Sequence, residues 1–93
     1  MNNLIKFNKA LHEVTQDRAK VYGHPADMFA RVALITQAVE SCPDERVRHA
    51  LVMIGVKMAR LVQSPDHLDS VIDIAGYART IAMINDRKMG DPK

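Results

Sequence analysis

Asp66, Asp69, Asp73 and Tyr77 follow one another at steps of three, four and four, which sets them on one face of a helix. Asp73 stands inside the apolar run Val71-Ile72-Asp73-Ile74-Ala75. A lone carboxylate buried there would be costly unless paired, hydrogen-bonded or bound to a metal. Two readings follow. In one, Asp66 and Asp69 complement the dipole of a helix N-terminus and Asp73 pairs with a basic side chain. In the other the acidic face does chemistry, since dipole effects fade beyond the first turn while the stripe runs on to Tyr77.

Two cations raise the matching question. Lys57 and Arg60 are three residues apart and interrupt the most apolar part of the chain, Val56 to Val62, so they share a helix face and require anions. Either one pairs with Asp73 across a helix hairpin, or long stems carry the charges to the surface, or the two form a clamp for phosphate.

A third group lies in Tyr22-Gly23-His24-Pro25-Ala26-Asp27. It brings an imidazole and a carboxylate to a helix N-terminus, where free backbone N–H groups hold anions. A His before Pro is also an ordinary turn residue, and an Asp in a first helical turn is common. His67, beside the acidic stripe, is equally two-sided. Cys42 has no neighbouring His or Asp to activate it and reads as inert, and the six Met read as core filler.

The elements that must position these residues are helices. Leu4, Phe7, Leu11, Val14 and Val21 form one stripe, and Gly23 then suits the left-handed position past a helix end. Pro25 suits the first position of a second helix, expected to run to about Glu40. Ser41, Pro43 and Asp44 approximate a capping box for a third helix to about Gln63, apolar nearly all round and therefore central or at a subunit interface. Ser64-Pro65 repeats the signal for a fourth helix, from about Asp66 to Asn85. Nothing alternates with the period of a strand. The expected fold is all-α, a small four-helix bundle over residues 1–86 completed by oligomerisation, with a flexible tail over 87–93.

Composition narrows the function. The chain has 93 residues, a net charge of +2, 47% hydrophobic and 4% aromatic residues and no Trp. One domain fits that length, and so few aromatics leave no base-stacking platform for single strands. Basic residues are interleaved with acids, as in Asp17-Arg18 and Asp86-Arg87, unlike the one-sided patch of a duplex binder. A single Cys excludes an internal disulfide. With no bilayer-length apolar run and no signal-peptide core, the expected location is the cytoplasm, away from membranes.

The motifs Tyr22-Gly23-His24-Pro25 with Asp27 and Phe29, Lys57-Met58-Ala59-Arg60, and His67-Leu68-Asp69-Ser70-Val71-Ile72-Asp73-Ile74-Ala75-Gly76-Tyr77-Ala78 resemble a group of short phage-encoded proteins. Those are similar in turn to the MazG-like all-α nucleotide pyrophosphohydrolases. The resemblance implies a Mg²⁺-dependent enzyme that splits a nucleoside triphosphate into monophosphate and pyrophosphate. It implies Asp69 and Asp73 as catalytic metal ligands with help from Asp27, and Lys57, Arg60 and His24 at the phosphates. Tyr22, His67 and Tyr77 would complete the pocket. The Glu-Glu-x-x-Glu motif of those enzymes has no counterpart here, and Ser70 stands where their Glu-x-x-Asp pair has its Glu.

Three functions remain open on these residues. The first is the Mg²⁺-dependent hydrolase, acting as a homodimer or higher homo-oligomer. A second is a protein that sequesters a nucleotide unchanged, for example a cyclic nucleotide signal of antiphage defence. The third is a helical module whose charged stripes pair internally and whose target is a host protein.

Overall fold

The structure, a computed structural model, describes residues 2–90, with side chains described at 2–14 and 23–88. It contains four helices, α1 Asn3–Tyr22, α2 Pro25–Val39, α3 Glu45–Gln63 and α4 Leu68–Gly90, and no strand among the described residues. The fold is an all-α small bundle. α3 is its centre: α1, α2 and α4 all pack on it, whereas α4 lies along α3 alone and α1 also touches α2. The all-round apolar character of α3 follows from that position.

Each joint shows why the chain turns where it does. Gly23 takes φ +76° between α1 and α2, a left-handed conformation that a Cβ would strain. His24 then caps α2, its Nδ1 accepting from the Ala26 N–H at 3.0 Å and its carbonyl from Asp27 and Met28, both at 3.1 Å. Asp44, rather than Ser41, is the cap of α3: its Oδ1 accepts from Arg46 N–H at 2.9 Å and Val47 N–H at 3.2 Å. A carboxylate adjoining the first helical residue reaches these donors better than a hydroxyl three residues earlier.

The start of α4 also differs from the expectation. Pro65 and Asp66 form a turn, closed by His67 N–H to the Ser64 carbonyl at 3.0 Å. α4 begins at Leu68, with the His67 carbonyl accepting from Ser70 and Val71. Asp66 is therefore outside the helix, and the acidic stripe of α4 reduces to Asp69, Asp73 and Tyr77. At the other end the helix continues to Gly90, past the boundary placed at residue 86, while residues 91–93 lie outside the described ones.

Small residues set the helix crossings. A Cβ on Gly55 would collide with Ile35 Cγ2, so α2 approaches α3 as closely as a missing side chain allows. Met28, Ala50 and Ala59 are the buried hydrophobics among the described residues, and Ser70 is buried to 1% exposure. Most larger aliphatics of α3 are only half-buried. The molecule is long, 61 × 29 × 24 Å, with a radius of gyration of 17.4 Å.

Candidate anion site on the central helix

The α3–α4 seam is closed by an ion pair, Lys57 Nζ to Asp73 Oδ2 at 3.1 Å. The burial is unequal: the Lys57 side chain is 11% exposed and that of Asp73 is 45% exposed. Lys57 lies along apolar neighbours and delivers its ammonium to the rim, the usual compromise of a long cationic stem. Asp69, one turn before Asp73, is exposed, and Tyr77, one turn after it, is half-buried. Ile72, Asp73, Gly76, Tyr77 and Thr80 line a shallow cleft of about 320 Å³ there.

Arg60 opens onto the adjoining face of α3. A pocket of about 250 Å³ lies between α2 and α3, walled by Pro25, Met28, Phe29, Val32, Val56 and Arg60, with Gly23 at its edge. Among the described residues its lining is apolar except for Arg60. Phe29, at 70% exposure, stands at its mouth. Arg60 thus lines the pocket, while Lys57, one turn earlier on α3, carries its ammonium to Asp73 at the α4 seam.

His24 and Asp27 stand at the start of α2. The N-terminus of α2 has no donor to spare, because Pro25 has no N–H and those of Ala26, Asp27 and Met28 are bound by His24. His24 acts as a cap, which the sequence reading missed because His is an uncommon one. Asp27 is exposed on α2, a helix that does not lie against α4. The side chain of Tyr22 lies outside the described residues. His67 Nδ1 is 2.7 Å from the Ser70 hydroxyl and so helps close the first turn of α4.

These placements bear on Mg²⁺. Among the described residues no group of three or more His, Cys, Asp or Glu side chains is gathered as a metal site. Asp69 and Asp73 are the two carboxylates at hand, and Lys57 already holds Asp73. Mg²⁺ asks for near-octahedral oxygens, and the described residues of one chain do not fit it.

A second charged centre was not foreseen. Asp44 Oδ2 pairs with Lys88 of α4, and Lys88 together with the backbone N–H of Val47 and Arg46 lowers the Asp44 carboxyl to about 2. Arg48 Nη1 donates to the Cys42 carbonyl at 2.8 Å. Spacing gave no hint of the pairing, since Asp44 and Lys88 are far apart in sequence. No helix of the described residues is long and apolar enough to cross a membrane.

An all-α bundle with a cationic central helix is the class that fold and site define. The chain belongs to the DUF6378 family, a domain of unknown function, whose family model matches residues 6–85. It is similar to the Gene 55 protein of Mycobacterium phage D29, 33% identical over 78 residues, 83% of this chain and 52% of the phage protein. The Gene 55 protein of Mycobacterium phage L5 is 36% identical over 69 residues, 70% of this chain and 42% of that protein. A stretch of 82 residues is 29% identical to a histidine–tRNA ligase, chloroplastic/mitochondrial, of Arabidopsis thaliana, covering 80% of this chain and 17% of the ligase. The chain thus spans about half the length, or less, of the curated relatives it matches. No solved structure matches it.

Proposed function

We propose that this chain is a phage-type nucleotide-binding protein that, as a single chain, holds its ligand without hydrolysing it. The phosphates are held by Arg60, joined by Lys57 when the ligand takes the place of Asp73 on its ammonium, and the base lies in the apolar pocket behind Phe29. The observation that carries this reading is the pocket itself: apolar walls with Arg60 as the one charged lining residue among those described, and Lys57 a turn away. Ligand sites are commonly built so, from apolar walls and a few placed polar groups. Aromatic faces accept any base, and a guanidinium matches phosphate oxygens in a bidentate way.

Hydrolysis to monophosphate and pyrophosphate, which the MazG-like resemblance implies, is the second reading. It is favoured by Asp69 and Asp73 standing one turn apart on α4 with exposed or half-exposed carboxylates. It requires more carboxylates than the described residues of one chain gather, and so a homodimer or larger homo-oligomer.

The test is a thermal-shift screen of the protein and of Arg60→Ala against linear and cyclic nucleotides, each with Mg²⁺ and with EDTA. A ligand at a hundred times its Kd adds about 2.7 kcal/mol to stability. The expected result is a shift that survives EDTA and is lost in Arg60→Ala. A shift that needs Mg²⁺ and comes with turnover supports the hydrolase instead. No shift with any nucleotide rejects both and leaves the helical module with a host-protein target.

A further inference from the structure

The surface of this chain is too large for its mass. A compact protein of 10.4 kDa exposes about 5,400 Å², whereas this chain exposes 7177 Å², an excess of roughly 1,800 Å². Its radius of gyration of 17.4 Å likewise exceeds the roughly 12 Å of a compact chain this long. The excess is in good part apolar and concentrated on two helices.

α4 is apolar on both sides. One side, with Ser70, Ile74, Tyr77 and Ile81, is turned to α3 and buried or half-buried. On the rest of its circumference Leu68 (65% exposed), Val71, Ile72 and Met83 stand in the open together with Ala75 and Ala82. On α1, Leu4, Phe7 and Val14 lie on one stripe and are each more than half exposed. Patches of this kind mark surfaces made for a partner.

We infer that the outer face of α4 is covered by α1 of a second copy of this chain, and reciprocally, in a twofold dimer. The area fits: covering the excess on both chains buries about 3,600 Å², within the range of permanent homodimers and above the standard-size interface. The lengths fit, since α1 of 20 residues and α4 of 23 residues are about 30 and 35 Å long. The charges are compatible. α1 carries four Lys or Arg against two acids, while α4 is balanced, with Asp69, Asp73 and Asp86 against Arg79, Arg87 and Lys88. Pairing α1 with α1 would set base against base, which pairing α1 with α4 avoids. The arrangement is isologous and closes on itself.

Light scattering, which reads mass independently of shape, tests the dimer. The expected mass is twice the 10.4 kDa of the chain. Phe7→Lys and Ile72→Lys should each halve it, while Leu34→Lys, on the exposed outer side of α2, should leave it unchanged. A chain-sized mass for the unaltered protein overturns the proposal, as does a dimer broken by Leu34→Lys and by neither of the others. A cross-link covers the case in which a lysine variant fails to fold. In a Cys42→Ser background, Phe7→Cys and Ala75→Cys chains are mixed and treated with a short bismaleimide. The mixed dimer should dominate; cross-links of Ala75→Cys with itself, or none at all, overturn the α1–α4 pairing.

Discussion

Lys57 Nζ lies 3.1 Å from Asp73 Oδ2 and ties the buried centre of α3 to the half-exposed flank of α4. The two residues stand sixteen positions apart on helices that share a long seam. Their contact explains how a lysine is tolerated among Val56, Met58 and Ala59: the stem packs and the charge is answered at the rim.

Because Asp73 is nearly half exposed, the pair should contribute little to stability. A double-mutant cycle of Lys57→Met and Asp73→Asn is expected to give a coupling of about 0.5 kcal/mol, within the range of exposed pairs and smaller in high salt. Denaturant melts of the four proteins check it. A coupling well above that range would mean the pair is less solvated than its geometry indicates.

Gly55 meets Ile35 across the α2–α3 crossing with no room for a Cβ. Gly55→Ala should cost about 1–3 kcal/mol, the range for overpacking. Adding Ile35→Ala should return part of that loss, although each single change destabilises. Urea midpoints of the three variants read this directly.

Gly23 at φ +76° should tolerate Ala poorly. The left-handed backbone costs a residue with a Cβ about 1–2 kcal/mol, and the added carbon would press on Gln63. Gly23→Ala is expected to lower the melting temperature while Gly23→Asn, which visits this conformation more readily, lowers it less.

Asp44 governs the acid limb of stability. Lys88 and the N-terminal amides of α3 lower its carboxyl to about 2, from an ordinary value of 3.8. The unfolded chain therefore takes up the proton first. The stabilisation is complete above about pH 4 and is lost as pH falls through about 2. Asp44→Asn keeps a cap and removes the charge, so it should flatten the melting temperature between pH 4 and 2. Thermal melts across that interval check the slope.

The fold was legible because the helices are punctuated: Gly23-Pro25 and the two Ser-to-Pro segments divide four apolar stripes. Boundaries slipped where the cap was not the expected residue. His24 caps α2 with its ring, and His67, just before α4, bonds the Ser70 hydroxyl. Of the candidate site, Lys57 with Asp73 was within reach because α3 and α4 form a hairpin, and pairing across it was one of the readings their spacing allowed. The separation of Asp27 from Asp69 and Asp73 was not legible, because it depends on α4 lying along α3 and not against α2. The pocket at Arg60 and the Asp44–Lys88 pair depend equally on tertiary placement, to which helical periodicity is blind.

The central claim is that this chain holds a nucleotide at Arg60 and Lys57 and leaves it intact. Equilibrium dialysis against a mixture of linear and cyclic nucleotides in EDTA, with chromatography of both chambers, tests it most directly. The account requires one nucleotide to be enriched, chemically unchanged, on the protein side, and that enrichment to vanish for Lys57→Ala and Arg60→Ala. Equal concentrations of every nucleotide in the two chambers would contradict it.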